Sequence, residues 1–395
     1  MPKSPAPAAP GLAKEDLALP AANEQYEQKT APLPDTIEEP TVDLSDLRRQ
    51  IDELDSRLLE LLNQRASLAV EIGRRKAAAT TDVFAPERER HVLDHVLSAN
   101  AGPLPAESVR NIYTEIISSM RALEKPLTIA YWGPPATNTH LASVRKFGSS
   151  SSFIPQDTIA DVFEEVQRRQ ADFGVVPIEN SIEGIVNHTL DMFLRSDMRI
   201  CAEVYLEIFH GLLSRAQNLS EVRRIYSIPV ATAQCRNWLS AHMRGVEIID
   251  ASTTARAAML AAEDPSSGAI AGEMAAQVYG LNVLAEHIED NPGNKTRFLA
   301  VGRLEPNPSG RDKTSLVFSV PHRSGSLLHA LQVFSDADIN LTLIESRPTK
   351  QMPWEYVFYV DAQGHQSSPN VSAAIQKLRD MATFVKVLGS YPEAD

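Results

Sequence analysis

The sequence predicts a multidomain protein: an all-α segment, then a two-lobed α/β domain, then a ferredoxin-like α+β domain (βαββαβ). Apolar residues recur at alternating steps of three and four from residue 44 to residue 72, as in a long helix. Short apolar runs then alternate with helical stretches to about residue 304, which is typical of α/β domains with a mostly parallel sheet. After a proline-containing linker, the order strand–helix–strand–strand–helix–strand indicates the ferredoxin-like plan.

Composition excludes several classes of protein. The net charge of −13 argues against sequence-independent nucleic-acid binding, and no run of about 18 apolar residues predicts a membrane span. Cys201 and Cys235 fit no zinc or redox spacing, so we expect free thiols in a reducing compartment. Residues 1–40 hold 8 of the 26 prolines and are predicted to be a disordered tail. This tail lacks the features of a secretory or mitochondrial signal, so a cytoplasmic location is expected.

The first domain, residues 41–125, is predicted to contain three helices. The first should run from near Ser45 to about Ala79, which is long for a globular helix and favours a partner packed along its whole length. Pro86 and Pro105 mark the starts of a second and a third helix, and the third should end before Pro126.

Two cations interrupt the apolar stripe of the first helix. The regular steps beyond Leu61 land on Arg65 and, after Leu68 and Ile72, on Lys76. The two cations are eleven residues apart, about three turns, so both side chains project from one face. Their stems could simply pack on apolar neighbours while the charged heads reach water. We favour an anionic ligand, because an unpaired buried charge is costly.

The stretch LRRQIDELDSRLLELLNQRASLAVEIGRRK, followed by FAPERE, resembles the all-helical chorismate mutase family. That family rearranges chorismate to prephenate without a covalent step, metal or cofactor, by holding a compact conformer and stabilising charge on the breaking ether oxygen. The resemblance implies that Arg65 binds a carboxylate and that Lys76 meets the ether oxygen. Arg88 and Glu89 would complete the pocket, with Glu89 on the ring hydroxyl. Arg48 of the partner subunit would enter it in an intertwined dimer.

Two positions depart from the mutase pattern. Ala85 stands where many members have Asp. Late in the third helix the family places a Gln or Glu that hydrogen-bonds the ether oxygen, and here the candidate is Glu124, which donates only when protonated. We therefore expect mutase activity to fall as pH rises toward neutrality and above. A solvated acid at the helix end is the simpler interpretation of Glu124.

The middle domain, residues 126–305, carries polar residues where its predicted strands end. Ligands of α/β sheets bind at this edge, where helix N-termini present free N–H groups. The stretches are GPPATNTH, VVPIENSIEGIVNHTLD, SIPVATAQC and NKTRFLAVG, and each alone could be a turn or a helix cap. In this order they jointly resemble prephenate dehydratase, which removes water and carbon dioxide from prephenate to give phenylpyruvate.

The dehydratase resemblance implies a set of site residues. Thr296 would donate a proton to the leaving hydroxyl, although an ordinary strand threonine remains the alternative. Arg297 would either orient a carboxylate or shape the loop. The family's Gly-Thr-Phe-Ser loop is altered here at Ala136, a glycine position, and at Asn138. The other residues expected in the cleft are Thr137, Glu179, Asn180, Ser227 and Gln234, while Ser252, Thr253 and Thr254 could be helix caps or anion binders.

The third domain, residues 312–395, resembles the ACT regulatory domain over SGSLLHALQVFSDADINLTLIESRP. In that family phenylalanine binds between two paired ACT domains. The resemblance implies that phenylalanine contacts Gly325, Ser326, Leu327, Asn340, Glu345, Ser346 and Arg347. From the residues alone, Gly325 would be a turn and Glu345–Arg347 a surface ion pair.

The three resemblances predict a bifunctional enzyme of phenylalanine biosynthesis that is inhibited by phenylalanine. It should need no cofactor or metal, act on chorismate and prephenate, and form at least a homodimer. Two alternatives stay open: a non-catalytic amino-acid sensor, or an enzyme that keeps only one activity. Arg65, Lys76 and Thr296 distinguish the enzyme from the sensor. A sensor needs neither the two cations in the apolar stripe of the first helix (the seam cations) nor a proton donor in a cleft.

Overall fold

A computed structural model describes residues 43–79, 84–348 and 356–394. The predicted disordered tail, residues 1–40, lies outside this part of the chain. The chain divides into two compact units, residues 1–59 and residues 60–395. Within the described ranges, no helix is both long enough and apolar enough to cross a membrane. Cys201 and Cys235 are buried, and neither forms a disulfide within the described residues, as predicted.

Three helices confirm the predicted all-α segment: α1 Leu44–Ala79, α2 Pro86–Ala99 and α3 Ala106–Glu124. Pro86 lies in the first turn of α2, where a helix does not use the backbone N–H that proline lacks. The apolar stripe of α1 is 44–67% exposed along its length, which is unusual for leucine and isoleucine and typical of a helix that packs against another helix. The stripe consists of Leu44, Leu47, Ile51, Leu54, Leu58, Leu61, Leu68 and Ile72.

The middle domain has two lobes, as predicted. Its strands are β1 Thr128–Trp132, β2 Ser152–Gln156, β3 Phe173–Asn180, β4 Gly184–Ile185, β5 Arg199–Glu207, β6 Gly211–Ser214, β7 Arg224–Ser227, β8 Glu247–Asp250, β9 Ser267–Ala271, β10 Asn282–Ala285 and β11 Lys295–Gly302. Its helices are α4 Asn138–Phe147, α5 Ile159–Gln167, α6 Asn187–Arg195, α7 Pro229–Gln234, α8 Arg236–His242, α9 Thr254–Glu263 and α10 Glu273–Tyr279.

The sheets of the two lobes are mixed, so the prediction of a mostly parallel sheet was wrong. The first sheet has the order β2-β1-β3-β11-β5 with β4 beside β3, and the second has the order β10-β6-β9-β7-β8. Strands β1, β2 and β3 are parallel, but β11 is antiparallel to both β3 and β5. The reason is the chain path: β5 leaves the first lobe and β11 returns beside it, so the two must run in opposite directions.

The helix predicted over residues 231–242 is two helices, α7 and α8, because the loop at Asp290 interrupts it. The backbone N–H of Asp290 donates to the carbonyl of Gln234 at 2.6 Å, and the Asp290 carboxylate accepts from the N–H of Asn237 at 3.1 Å. Asp290 thus binds backbone groups on both sides of the break and holds the end of α7, where Gln234 lies.

The third domain confirms the ferredoxin-like plan. Strands β12 Asp312–Ser319, β13 Leu341–Pro348, β14 Tyr356–Gln363 and β15 Phe384–Pro392 form an antiparallel sheet of order β13-β14-β12-β15, with helices α11 Ser326–Asp336 and α12 Pro369–Met381. One face of the sheet packs on these helices, and the other packs on the first lobe. The approach is close at Gly389, where an added Cβ would lie 2.2 Å from the carbonyl oxygen of Ile200.

Candidate functional site

A cavity of about 260 Å³ is lined by residues from both lobes of the middle domain. The first lobe contributes the ends of β1 and β3 and the start of β11, and the second contributes the loops that follow β7 and β8. These are the strand edges where the sequence predicted a ligand. The predicted residues Thr137, Asn180, Gln234 and Thr296 all line this cavity, as do Ser252, Thr253 and Thr254.

The side chain of Asn180 orients the hydroxyl of Thr296. Its Oδ1 accepts from the backbone N–H groups of Ile182 and Glu183, each at 2.9 Å. Backbone N–H groups can only donate, so this amide oxygen must face them and the NH₂ group must face the other way. Nδ2 therefore donates to Thr296 Oγ1 and to Asn294 Oδ1, both at 2.8 Å. Because Thr296 Oγ1 accepts from Asn180, its own proton points to a different acceptor.

Asn294 and His210 line the same cavity and were missed by the sequence analysis. Asn294 is 6% exposed and shares the NH₂ group of Asn180 with Thr296. His210 is 5% exposed, and its Nε2 lies 2.8 Å from Oε1 of Gln234. His210 interrupts an apolar run in the sequence, which was the available signal for it, whereas Asn294 lies among polar residues two positions before Thr296.

The altered loop before α4 keeps the backbone that a glycine would favour. Ala136 has φ 69°, in the left-handed region, which costs a residue with a Cβ about 1–2 kcal/mol. Thr137 is the N-cap of α4: its Oγ1 accepts from the N–H of His140 at 3.3 Å and donates to the carbonyl of Pro134 at 3.1 Å. The substitution at residue 136 thus leaves Thr137 at the cavity.

Glu179, Ser227 and Arg297 do not line the cavity, and for these three the structure corrects the sequence analysis. Thr296 pairs with Asn180 across β11 and β3, whereas Arg297 pairs with Glu179. Successive side chains of a strand point to opposite faces, so Arg297 and Glu179 lie on the face away from the cleft. Ser227 is fully buried, and its hydroxyl donates to the carbonyl of Ile228 at 3.1 Å.

Arg297 lies in a buried ionic network between the first lobe and the third domain. Its Nε donates to Glu203 at 2.7 Å, Nη1 to Asp361 at 2.6 Å and Nη2 to the hydroxyl of Tyr391 at 3.0 Å. Lys313 also donates to Glu203, at 3.0 Å. Burial alone would lower the pKa of Arg297, but Tyr391, Asp361 and Glu203 outweigh it and raise that pKa. Arg297 therefore joins two domains instead of contacting a ligand in the cleft.

The seam cations Arg65 and Lys76 are half-buried on α1, in the second unit. Glu124, at the end of α3, packs against this helix: a Cβ added to Gly73 would lie 2.7 Å from Glu124 Cγ. Gly73 and Lys76 are neighbours on one helix face, three residues apart, so Glu124 lies near the seam. Its Oε2 is buried and has no hydrogen-bond partner within residues 43–79, 84–348 and 356–394.

Glu89 is not brought to the seam cations. Its carboxylate accepts a hydrogen bond from Arg121 on α3, and it lines a separate cavity of about 290 Å³ whose described lining includes neither Arg65 nor Lys76. Burial raises the pKa of Glu89, and the nearby Arg121 offsets only part of this effect. Arg88 is exposed on α2, and Arg48 is exposed in the first unit.

The residues predicted to bind phenylalanine are divided between two faces of the third-domain sheet. In β13, Arg347 pairs with Val357, which belongs to the core shared with the first lobe, whereas Ser346 pairs with Phe358 on the helix side. Arg347 accordingly donates to Asp191 of α6 at 3.1 Å. Glu345 shares its face, so the structure separates these two residues from the remaining predicted contacts: Gly325, which begins α11 at φ 81°, Ser326, Leu327, Asn340 and Ser346.

Three protein families match successive parts of the chain. "Chorismate mutase type II" matches residues 47–125, "Prephenate dehydratase" residues 129–306 and "ACT domain" residues 314–380. A bifunctional chorismate mutase/prephenate dehydratase of Aquifex aeolicus (strain VF5) is 46% identical over 356 residues, which cover 89% of this chain and 98% of that relative.

Two solved structures each resemble about two thirds of the chain. Prephenate dehydratase from Arthrobacter aurescens in complex with L-Phe has a TM-score of 0.64 and 36% identity, covering 68% of this chain and 91% of its own. GqqA, described as a novel type of quorum quenching acylase, has a TM-score of 0.63 and 28% identity, covering 68% of this chain and 98% of its own.

Proposed function

The chain belongs to the bifunctional chorismate mutase/prephenate dehydratase family, and from this membership we propose how its residues perform the two reactions. It rearranges chorismate to prephenate, and it removes water and carbon dioxide from prephenate to give phenylpyruvate. No step needs a cofactor in the proposal, since the first reaction is pericyclic and the second needs a proton donor and groups that bind carboxylates.

The dehydratase reaction takes place in the cavity between the lobes, with Thr296 as the proton donor to the leaving ring hydroxyl. The observation that carries this assignment is the orientation of Asn180, whose NH₂ group donates to Thr296 Oγ1 at 2.8 Å. Because Thr296 Oγ1 already accepts this hydrogen bond, the proton of the Thr296 hydroxyl is directed to another acceptor. We assign the leaving hydroxyl of prephenate as that acceptor. The protonated hydroxyl leaves as water when its bond to the ring carbon breaks. The ring carboxylate leaves as carbon dioxide, and the electron pair of the broken carbon–carbon bond completes the aromatic ring.

Substrate carboxylates are bound by polar groups from both lobes. Thr253 is the N-cap of α9, where its Oγ1 accepts from the N–H of Arg256 at 3.0 Å. Ser252 and Thr254 flank this cap and line the cavity, so a carboxylate there meets the positive end of the α9 dipole. Thr137 and Gln234 line other parts of the cavity and limit where the ring can lie.

The mutase reaction takes place on the seam of α1. Arg65 binds one carboxylate of chorismate, Lys76 stabilises charge on the ether oxygen, and Glu124 donates to that oxygen when protonated. Arg88 binds the substrate from α2. The exposed stripe of α1 pairs with the same stripe of a second copy, which brings Arg48 of the partner subunit to the site. The functional unit is therefore at least a homodimer.

Phenylalanine inhibits the dehydratase by binding at the N-terminus of α11, near Gly325, Ser326 and Leu327. The related dehydratase from Arthrobacter aurescens is a complex with L-Phe, which supports this proposal. Binding could act on the cleft because the third-domain sheet packs on the first lobe, and Arg297 connects Asp361 to the strand that carries Thr296. We place the enzyme in the cytoplasm, in keeping with two buried cysteines that form no disulfide within the described residues.

One assay of the full chain tests the whole proposal. The protein is given chorismate alone, and phenylpyruvate is measured with and without phenylalanine. We expect phenylpyruvate to form and to decrease when phenylalanine is added. Accumulation of prephenate without phenylpyruvate would contradict the assignment of the cleft. No consumption of chorismate would contradict the assignment of the seam cations, and prephenate supplied directly would then test the cleft separately.

A further inference from the structure

We propose that His210 binds one carboxylate of prephenate through its Nδ1, as the cationic group of the dehydratase cleft. This inference rests on the proposed location of the dehydratase site. The starting observation concerns charge: of the described residues that line the cavity, none is Arg or Lys, and His210 alone can become positive.

A substrate with two carboxylates favours such a group. Prephenate carries two carboxylates, and moving them from water into a cavity is costly unless charged or hydrogen-bonding groups compensate. Besides His210, the one ionisable side chain in the described lining is that of Glu183, whose carboxylate would repel an anion. Arg297 cannot compensate, because its Nε, Nη1 and Nη2 bind Glu203, Asp361 and Tyr391 on the opposite face of the strand.

His210 is held firmly at this place. It lies between β5 and β6, where the chain crosses from the first lobe to the second. Its backbone N–H donates to the carboxylate of Glu289 at 2.9 Å, and its carbonyl accepts from the N–H of Ile288 at 2.9 Å. On the ring, Nε2 lies 2.8 Å from Oε1 of Gln234, which the Asp290 loop positions in turn. The backbone of His210 is therefore held by the segment before β11, and its ring by Gln234 of the second lobe.

The other ring nitrogen of His210 has no hydrogen-bond partner in the part of the chain that the structure describes. His210 Nδ1 is buried, and the described residues give it no hydrogen bond. A buried polar atom in a native protein is normally satisfied by protein, water or ligand. An imidazolium donates from both nitrogens, so Nε2 would keep its bond to Gln234 while Nδ1 donates to a substrate carboxylate. A structural histidine, neutral and with an empty Nδ1 acceptor, is the alternative.

Two amide substitutions separate these roles, because each replaces one ring nitrogen. In His210→Gln the longer side chain places its NH₂ near the position of Nε2, so the Gln234 contact is kept and the Nδ1 donor is lost. In His210→Asn the NH₂ lies near Nδ1 and the Gln234 contact is lost. We expect His210→Gln to raise KM for prephenate about 10- to 100-fold, as for one hydrogen bond to a charged group, with kcat changed less. His210→Asn should raise KM less than His210→Gln does.

The matched control is His287→Asn, an exposed histidine whose ring packs on Phe209. It should leave KM unchanged, and all three variants should keep the mutase activity of the wild type. An unchanged KM in His210→Gln, or a larger KM in His210→Asn than in His210→Gln, would overturn the assignment of Nδ1. Calorimetric titration of the wild type with prephenate tests separately whether the dehydratase site exists. If the wild type neither binds nor converts prephenate, the proposed cleft is wrong and the role of His210 is wrong with it.

Discussion

The cleft of the middle domain and the seam of α1 differ in how their functional side chains are held. In the cleft, Asn180 accepts from two backbone N–H groups and donates to Thr296 Oγ1. Hydrogen bonds within one chain thus orient the hydroxyl of Thr296. On α1, Arg65 and Lys76 project from a helix whose apolar stripe is exposed to water. The cleft is completed by contacts between distant parts of one chain, whereas the described residues leave the apolar stripe that carries the seam cations exposed.

This difference teaches where each site is vulnerable. A site built from strand ends depends on the packing of the sheet and on the domains that support it. A site on one face of a long helix depends on the pairing of that face. Substitutions in the cleft, at its domain contact and on the seam test these dependences.

Thr296→Val should lower kcat of the dehydratase about 10²- to 10⁴-fold, the usual contribution of a positioned general acid. Valine keeps the shape of the side chain and removes the proton. Phenylpyruvate formation from prephenate is the measurement, and chorismate consumption should stay within about twofold of the wild type, since the mutase does not use this residue. Thr296→Ser, which keeps the hydroxyl, is the control; equal losses in both variants would argue against proton donation.

Arg297→Met should lower the free energy of unfolding by about 3–5 kcal/mol, because it leaves Glu203 and Asp361 buried with fewer partners. The midpoint of urea unfolding measures this change. Lys295→Met on the same strand is the control, since it removes only an exposed pair with Glu207. If Arg297→Met unfolded at the wild-type urea midpoint but had a raised KM for prephenate, Arg297 would instead be a substrate-binding residue.

Leu58→Glu should lower mutase activity about 10-fold or more, because it would bury a charge in the paired stripe. Dehydratase activity should change little, since the cleft lies within one chain. Ser56→Glu, two residues away and therefore on the opposite side of α1, is the control. Sedimentation should show the wild type as a dimer or larger. Full mutase activity in Leu58→Glu would show that the stripe does not pair.

Glu124→Gln should change the pH dependence of the mutase more than its maximal rate. An amide donates a hydrogen bond at every pH, whereas a carboxyl group donates only when protonated. At alkaline pH the variant should exceed the wild type by about 3- to 10-fold, the value of one hydrogen bond. Glu107→Gln at the other end of α3 is the control. Parallel pH profiles of wild type and Glu124→Gln would remove Glu124 from this role.

Much of the architecture was predictable because local signals determine it. Pro86 and Pro105 mark the starts of α2 and α3, since proline favours the first turn of a helix. The strand and helix order of the third domain was also readable from alternating and helical periodicity. The direction of β11 was not, because a strand's neighbours depend on the path by which the chain returns from the second lobe.

The residues of the cleft were predicted in part. Asn180 and Thr296 lie at strand edges, where a ligand was expected, and both line the cavity. Arg297 is adjacent to Thr296 in sequence, yet it faces away, because neighbouring strand residues point to opposite faces. Its partner Asp361 belongs to another domain, and the local sequence around Arg297 does not predict a contact with a residue so far away in the chain.

The sequence by itself determined the three-domain order, the helices of the first domain, the order of strands and helices in the third, and the two cations in the apolar stripe of α1. These follow from periodicity, proline positions and charge, which act over a few residues. Only the tertiary structure decided which side chains share a cavity or a hydrogen bond. In the fold, His210 contacts Gln234, Arg297 donates to Asp361, and Arg121 donates to Glu89. Hydrogen bonds and burial between residues far apart in the chain set these choices, because only folding brings such groups within reach of each other.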